Sequence, residues 1–437
     1  MRLVPARPLV LATLLPLALA VAALAERSLV VPMLVVDAVI VLVALVDAAV
    51  VRGQRYAVKR VVPELWSLAR PMGLELELAR TAGGGRRAVQ VYDDLFPAAK
   101  TADLPLAATL DARGRAHVSY KVTSTARGVH TLGDVWVRST SPLGLWVHQQ
   151  RLPAPAEVRV YPDLAAIRDY ELLAKKNRDV FASRLTRLRG GDTEFERLRD
   201  YAPDDEMRRV DWKATARRRK LTVREYQLEQ NQSIVFMLDC GRLMTSVWDD
   251  LTGLDYALNA TLMMAHVAVR RGDLVGLLAF DEVVRRLIAP RPGVRASNQL
   301  IQATFDLFPQ MVESDYEAAF RQLRRQMKRR SLVVLVTHAI DDPTARRVAA
   351  LARELMPAHL PLVALLKDAE VERLLARRPD DADGACVQAA ASEVALWRDQ
   401  HLRELERSGV MVLDVFHHEL TGALVAKYLE VKARGLI

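Results

Sequence analysis

The chain has 437 residues, enough for two or three domains and a full hydrophobic core. It is 51% hydrophobic and carries 62 Lys and Arg against 53 Asp and Glu, a net charge of +9. Its two cysteines, Cys240 and Cys386, have no Cys-x-x-Cys spacing, which excludes a disulfide framework and a thiolate metal site.

Residues 9–25 hold no charge, and residues 29–51 hold only Asp37 and Asp47. A spanning helix needs about 20 mainly apolar residues. The pattern therefore predicts a transmembrane helical hairpin over residues 1–59, turning at Glu26-Arg27-Ser28. The first stretch also reads as a cleavable signal peptide, with basic Arg2 and Arg7 and small Ala23 and Ala25 before Glu26. In both readings Arg52, Arg55, Lys59 and Arg60 follow the second span, and the positive-inside rule places that end in the cytoplasm. The expected location is the inner membrane, multi-pass, with cytoplasmic soluble domains. The positive charge suits an anionic lipid surface. No aromatic-rich basic groove accompanies it, so no nucleic-acid partner is expected. Asp37, costly inside a span, is expected to hydrogen-bond across the hairpin.

From residue 60 to 161 short runs alternate with period two, as in Leu74-Glu75-Leu76-Glu77-Leu78 and Asp134-Val135-Trp136-Val137-Arg138, broken by Gly and Pro. This predicts an antiparallel β-sandwich of immunoglobulin-like type. Residues 162–229 are dense in paired charges. Thr193-x-x-Glu196 reads as a capping box opening a short helix that Pro203 closes. Asp204 or Asp205 caps the next helix, which puts Arg208, Asp211, Trp212 and Thr215 on one side. Arg217-Arg218-Arg219-Lys220 ends that helix, and residues 221–228 form a strand.

Over residues 230–437 strands and helices alternate, predicting a doubly wound α/β domain. Strands are expected at 233–238, 274–280, 283–288, 332–337, 362–366 and 410–415. Helices are expected near 254–270, 296–307, 316–328, 344–355, 392–407 and 419–433, with 379–384 a surface loop. His417-His418-Glu419 starts a helix and reads as a cap or as solvent-facing, not as a zinc motif. Cys240 reads as a core thiol. No Gly-x-Ser-x-Gly, Walker A or Gly-x-Gly-x-x-Gly motif occurs.

The run EFERLRDYAPDDEMRRVDWKATAR, followed by LTVRE, covers residues 194–225. It resembles the bacterial membrane-anchored family known as domain of unknown function 58, whose members typically accompany MoxR-type AAA+ ATPases. Arg127-Gly128-Val129-His130 and Ser141-Pro142-Leu143-Gly144-Leu145 are similar to two turns of that family, with His130 in place of an aromatic residue and Ser141 in place of Asp. Residues 234–244 resemble the first strand and loop of a von Willebrand factor A domain. That family presents Asp-x-Ser-x-Ser there, with a distant Thr and Asp completing a Mg²⁺ site. This chain keeps Asp239 but has Gly241 and Leu243 at the two Ser positions, Ser314 near the Thr position and Thr337-His338 where Thr-Asp is usual.

The resemblance implies a non-enzymatic adaptor or co-chaperone that binds a MoxR-type AAA+ ATPase and a client protein at the membrane. The expected docking residues are Arg199, Tyr201, Asp204, Asp205, Arg208, Asp211, Trp212, Lys213, Arg217, Arg224 and Glu225. The bland alternative for Trp212 is an indole packed onto the α/β domain. No cofactor is expected. The alternatives are a Mg²⁺-dependent adhesion module with Asp239, Ser314 and Asp315 as ligands, and an enzyme of the cell envelope.

Overall fold

The computed structural model describes residues 2–63, 65–82, 87–163, 194–202, 207, 210–227, 231–338, 342–356, 358–379 and 381–436. The chain divides into two compact units, Met1–Tyr161 and Pro162–Ile437.

The first unit begins with strand β1 (Arg2–Pro5), helices α1 (Arg7–Ala12) and α2 (Leu14–Ala23), a 3-10 turn at Arg27–Leu29 and helix α3 (Val30–Arg52). Residues 27–52 are long and apolar enough to cross a membrane, with mean hydropathy 3.0, whereas Arg7–Ala23 is shorter. Thr13 interrupts that shorter stretch, its hydroxyl donating to Val10 O at 2.7 Å. Asp37 is exposed on α3.

Eleven strands follow: β2 (Arg55–Val61), β3 (Trp66–Ser67), β4 (Pro71–Ala82), β5 (Arg87–Asp93), β6 (Ala99–Lys100), β7 (Leu106–Leu110), β8 (Arg115–Ser124), β9 (Gly128–Leu132), β10 (Val135–Thr140), β11 (Trp146–Leu152) and β12 (Ala156–Tyr161). They form sheets of order β1-β11-β10-β5-β7, β2-β4-β8-β6 and β3-β12-β9. The period-two reading holds here. Leu74, Leu76 and Leu78 are buried while Glu75 and Glu77 between them face out. Each such leucine contributes about 1.5–3 kcal/mol by leaving water.

Two residues of this unit have roles other than those expected. Arg60, grouped above with the basic residues near the membrane, is in the core: its side chain is 2% exposed and pairs with Asp93, which Tyr120 also contacts. A guanidinium removed from water needs such a partner, so Arg60 cannot meet lipid headgroups. His130 takes the place of an aromatic ring in kind, stacking on Phe96 with centroids 4.2 Å apart and planes 8° apart.

The end of α3 is fastened to the turn between β10 and β11. Asp47, 2% exposed, accepts from Leu143 N at 3.1 Å and Leu145 N at 3.3 Å, and Ser141 Oγ donates to the same carboxylate. Trp146 Nε1 donates to Ala44 O at 2.9 Å. An Asp at position 141 would bring a second carboxylate against Asp47. Ser141 instead supplies a donor, and the helix provides the carboxylate that organises the turn. Asp47→Ala leaves these donors without their acceptor and is expected to cost about 3 kcal/mol. Faster amide hydrogen exchange over residues 141–146 in the solubilised chain would report it, and unchanged protection there would refute this role.

In the second unit, β13 (Glu194–Asp200), helix α4 (Trp212–Arg218) and β14 (Thr222–Gln227) precede the α/β fold. The helix expected after Thr193 is instead strand β13, antiparallel to β14 with a bulge between Phe195 and Arg197. The capping-box spacing depends on Glu196, which is instead the extra residue of the bulge. Thr193 and Pro203 lie outside the described residues.

The α/β fold comprises β15 (Ser233–Asp239), a small hairpin of β16 (Val247–Trp248) and β17 (Leu251–Thr252), α5 (Gly253–Arg270), β18 (Leu274–Phe280), β19 (Val284–Arg291), α6 (Val294–Thr304), α7 (Tyr316–Gln326), β20 (Ser331–Thr337), α8 (Asp342–Leu355), β21 (Leu360–Lys367), α9 (Ala369–Ala376), α10 (Ala382–Arg407), β22 (Met411–Phe416) and α11 (Leu420–Ala433). The sheet runs β19-β18-β15-β20-β21-β22, parallel except for β19 at one edge. β15 and β20 are buried along their whole length, as strands covered on both faces must be. Helix α10 begins at Ala382, earlier than expected, because Asp381 caps it by accepting from Gly384 N at 2.7 Å. Part of the expected loop 379–384 is therefore helical.

Candidate functional site

In this sheet the chain leaves β15 toward β18 and later returns to β20 on the other side. The reversal puts a crevice at the carboxyl ends of β15 and β20, where open α/β sheets present functional groups. Asp239, the last residue of β15, stands there fully buried.

Four donors converge on its carboxylate. Oδ1 accepts from Gly241 N at 2.9 Å and Ser314 Oγ at 2.5 Å. Oδ2 accepts from Tyr316 OH at 2.5 Å and Thr337 Oγ1 at 2.7 Å. Ser314 and Tyr316 are held on either side of Asp315, which caps α7 by accepting from Ala318 N at 2.9 Å. The loop around them is tied by backbone bonds from Cys240 N to Phe280 O, Arg242 N to Val312 O and Gln310 N to Cys240 O. Gly241 is required by the close approach of this loop: a Cβ there would lie 2.1 Å from Ser314 Oγ.

Asp239 and Ser314, the two expected metal ligands, are thus brought together, though as hydrogen-bond acceptor and donor. Asp315 acts as a helix cap. Sequence reasoning missed Tyr316, which enters because it follows the capping residue by one position and points back at the strand end. The donor set does not fit Mg²⁺. Such an ion asks for near-octahedral oxygen ligands, usually with one or two carboxylates and several waters. Here Asp239 is the one carboxylate of the set, and both of its oxygens already accept two protein donors each. Among the described residues no three His, Cys, Asp or Glu side chains stand close enough to share a metal ion.

Beside this hub lies an imidazole and indole cluster. His338 follows Thr337; it is 1% exposed, and its Nδ1 lies 3.2 Å from Leu243 O. Burial pushes the His338 pKa below its ordinary 6.5, so the ring is neutral at pH 7. With Leu243 O as partner, Nδ1 carries the proton and donates it, leaving Nε2 as an acceptor. Trp248 meets the His338 ring edge-on at 5.4 Å and stacks on His417 at 5.3 Å. His417, expected to be a cap or in solvent, is 8% exposed because Trp248 and Tyr256 cover it. Cys240 is buried in the core, as expected.

Of the expected docking residues, Arg199, Arg224 and Glu225 fall on the separate β13–β14 sheet, and Trp212, Lys213 and Arg217 on α4. Asp211 caps α4, its side chain accepting from Ala214 N at 3.0 Å, so the cap lies later than Asp204 or Asp205. Trp212 is 63% exposed, which overturns the packed-indole alternative. Lys213 and Arg217 are exposed too, and Tyr201 is half-buried with its N–H donating to Leu221 O. Arg199 pairs in register with Val223, Arg224 with Leu198 and Glu225 with Arg197. Asp204, Asp205 and Arg208 lie outside the described residues.

Comparison with known proteins adds a family and no activity. Uncharacterised proteins of Mycobacterium bovis and Mycobacterium tuberculosis are each 25% identical over 177 residues, 40% of this chain. The chain spans 56% of their length. Among solved structures it is similar to the conserved hypothetical protein BatB from Bacteroides thetaiotaomicron, at 12% identity over 46% of this chain and 99% of that one, TM-score 0.30. It is also similar to a cohesin module of a Clostridium perfringens family 33 glycoside hydrolase, at 13% identity over 24% of this chain and 96% of that one, TM-score 0.16. The family model described as "Protein of unknown function DUF58" matches residues 197–372, from β13 to α9, and so takes in both the charged hairpin and the Asp239 hub. What the comparisons show is thus a likeness to the DUF58 family over residues 197–372.

Proposed function

We propose that this chain is a membrane-anchored docking protein, with an immunoglobulin-like sandwich and a von Willebrand A-like unit. It would hold a MoxR-type AAA+ ATPase and a client protein at the cytoplasmic face of the inner membrane, without performing chemistry of its own. The observation that carries the binding role is the exposed Trp212, flanked by Lys213 and Arg217 on a short capped helix. A large indole left in water at a charged surface is the residue type that dominates protein interfaces. The Asp239 hub supports the same reading. At the place where such a fold would present reactive groups, the carboxylate has the structural task of closing a loop.

A two-span anchor is supported by where the ends of the apolar segment go. β1 pairs with Trp146–Gln149 of β11, and Trp146 also bonds to Ala44 near the end of α3. Both ends are thus held by one strand, so they sit on one side of any bilayer the segment enters. Arg52, Arg55 and Lys59 remain exposed there, facing anionic lipid on the cytoplasmic side.

Affinity capture from solubilised membranes under ATP-trapping conditions tests the proposal. The unmodified chain is expected to retain an AAA+ ATPase, and Trp212→Ala to lose at least about tenfold of that capture, as a hot spot does. Because Trp212 is exposed, its replacement should change stability by less than about 0.5 kcal/mol. Capture of no AAA+ ATPase by the unmodified chain would sink the reading.

A further inference from the structure

The sheet β1-β11-β10-β5-β7 buries one face and exposes the other. Val91, Val135 and Val137 point into the sandwich core, so the residues that alternate with them point outward. Strand register sets these in two rows. In one, Trp136 stands between Arg151 of β11 and Tyr92 of β5. In the next, Arg138 stands between Gln149 and Gln90, and the row continues to Arg2 of β1. A cavity of about 410 Å³ opens over this face, with Tyr92, Trp136, Arg138, Gln90 and Gln149 in its lining. That is the volume of a small-molecule pocket. Among the described residues no Asp or Glu lines it, and Asp134, just before β10, pairs with Arg151. Tyr92 is 50% exposed, Gln90 and Arg138 are exposed, and Trp136 and Gln149 are half-buried, so a solute reaches every one of these side chains.

Two features give the cavity a specific chemistry. Tyr92 and Trp136 are cross-strand neighbours, a placement in which aromatic side chains ordinarily pack on each other. Here, among the described residues, their rings make no stacked or edge-on pair, and both line the cavity instead. Arg151 covers one face of Trp136, its guanidinium carbon 5.9 Å from the ring centre, which leaves the opposite face for a flat ligand ring. The second feature is a prepared cation. Arg138 Nε donates to Gln149 Oε1 at 3.2 Å, which orients the guanidinium and leaves both Nη groups without an acceptor among the described residues. That free fork matches a phosphate. The Gln90 amide and the amide nitrogen of Gln149 are also uncommitted among the described residues. Trp136 and Arg138 are two residues apart on one strand, about 7 Å. A base joined to a phosphate through ribose spans such a gap, whereas an acidic sugar carries its anion on the stacking ring itself.

We propose that this face of the sandwich binds a nucleoside monophosphate. The base lies against Trp136 beside Tyr92, the phosphate is held by Arg138, and the Gln90 and Gln149 amides meet the ribose hydroxyls. Base stacking on aromatic side chains supplies affinity without asking for one particular base. The inference goes beyond the docking role and does not depend on it: the site lies wholly in the first unit and uses none of residues 194–225.

Calorimetry on the full chain in detergent tests it with AMP and its two fragments, adenosine and ribose 5-phosphate. AMP is expected to bind at least about tenfold tighter than either fragment, a difference of about 1.4 kcal/mol. Arg138→Gln, at an exposed position where folding is not at stake, should bring AMP down to the level of adenosine and leave adenosine unchanged. Tyr92→Ala should weaken AMP and adenosine alike and leave ribose 5-phosphate unchanged. AMP no tighter than ribose 5-phosphate would show a patch that attracts any anion, and AMP no tighter than adenosine a patch that attracts any ring. Either result overturns the proposal, as does an absence of AMP binding. An Arg138→Gln chain that holds AMP as tightly as the unmodified one overturns it too.

Discussion

Lys432→Met is expected to destabilise the second unit by about 3–5 kcal/mol, among the largest effects of any single substitution in this chain. Lys432 Nζ sits 2.6 Å from both carboxylate oxygens of Asp273, and the two side chains are 4% and 0% exposed. Tyr428 OH donates to the same carboxylate at 2.6 Å and Gln232 N at 3.3 Å. Asp273 lies in the turn between α5 and β18, so this cluster pins the C-terminal helix α11 to the start of two central strands. The cost comes from leaving one buried charge unpaired, more than from losing an attraction. The double variant Asp273→Asn with Lys432→Met should therefore be more stable than Lys432→Met alone: no charge is buried, and the Asn oxygen still accepts from Tyr428. Hydrogen exchange over β15, β18 and α11 against urea reads the second unit selectively. A double variant no more stable than the single one would show that the ion pair is not the source of the loss.

The parts of the fold that could be read from residue order are those whose stabilising partners lie in a periodic pattern. Leu74, Leu76 and Leu78 announce a strand by alternation, and the unbroken apolar runs at 234–238 and 332–336 announce strands covered on both faces. What stayed hidden depends on contacts far along the chain. Asp47 reads as a charge inside a membrane span, yet its partners are 94 to 98 residues away. Arg60 reads as a juxtamembrane base, and its partner Asp93 lies in another strand. The β13 strand was masked by its own bulge, and His417 by an indole that packs over it from the β16–β17 hairpin. At the candidate site the meeting of Asp239 with Ser314 was legible through the resemblance to a von Willebrand factor A domain, as ligands and not as the hydrogen-bonded pair they form. Tyr316 was not, because nothing local shows that a tyrosine at a helix start will turn back toward a strand end 77 residues earlier.

Asp239 separates the two accounts of the second unit, because Asn and Ala should behave differently there. Asp239→Ala strips four donors of their acceptor in a fully buried place, and a loss of about 3–5 kcal/mol is expected from the sum of unmet desolvation. Asp239→Asn keeps one oxygen, which can face Gly241 N, a backbone donor with no freedom to reorient. The amide nitrogen then faces Tyr316 and Thr337, whose hydroxyls rotate to accept and whose oxygens already lie 2.9 Å apart, close enough for one to donate to the other. The expected cost is about 1–2 kcal/mol. A docking surface braced by hydrogen bonds therefore tolerates Asn, and AAA+ capture by Asp239→Asn should stay within about threefold of the unmodified chain, less than 1 kcal/mol in binding. A Mg²⁺ site would respond the other way. Asn removes the one carboxylate of the set, so capture would fail at near-normal stability, and added Mg²⁺ would stabilise the unmodified chain but not the variant. Near-normal stability with lost capture would thus restore the metal-dependent reading, whereas a stable Asp239→Asn that still captures its partner leaves the carboxylate as a brace.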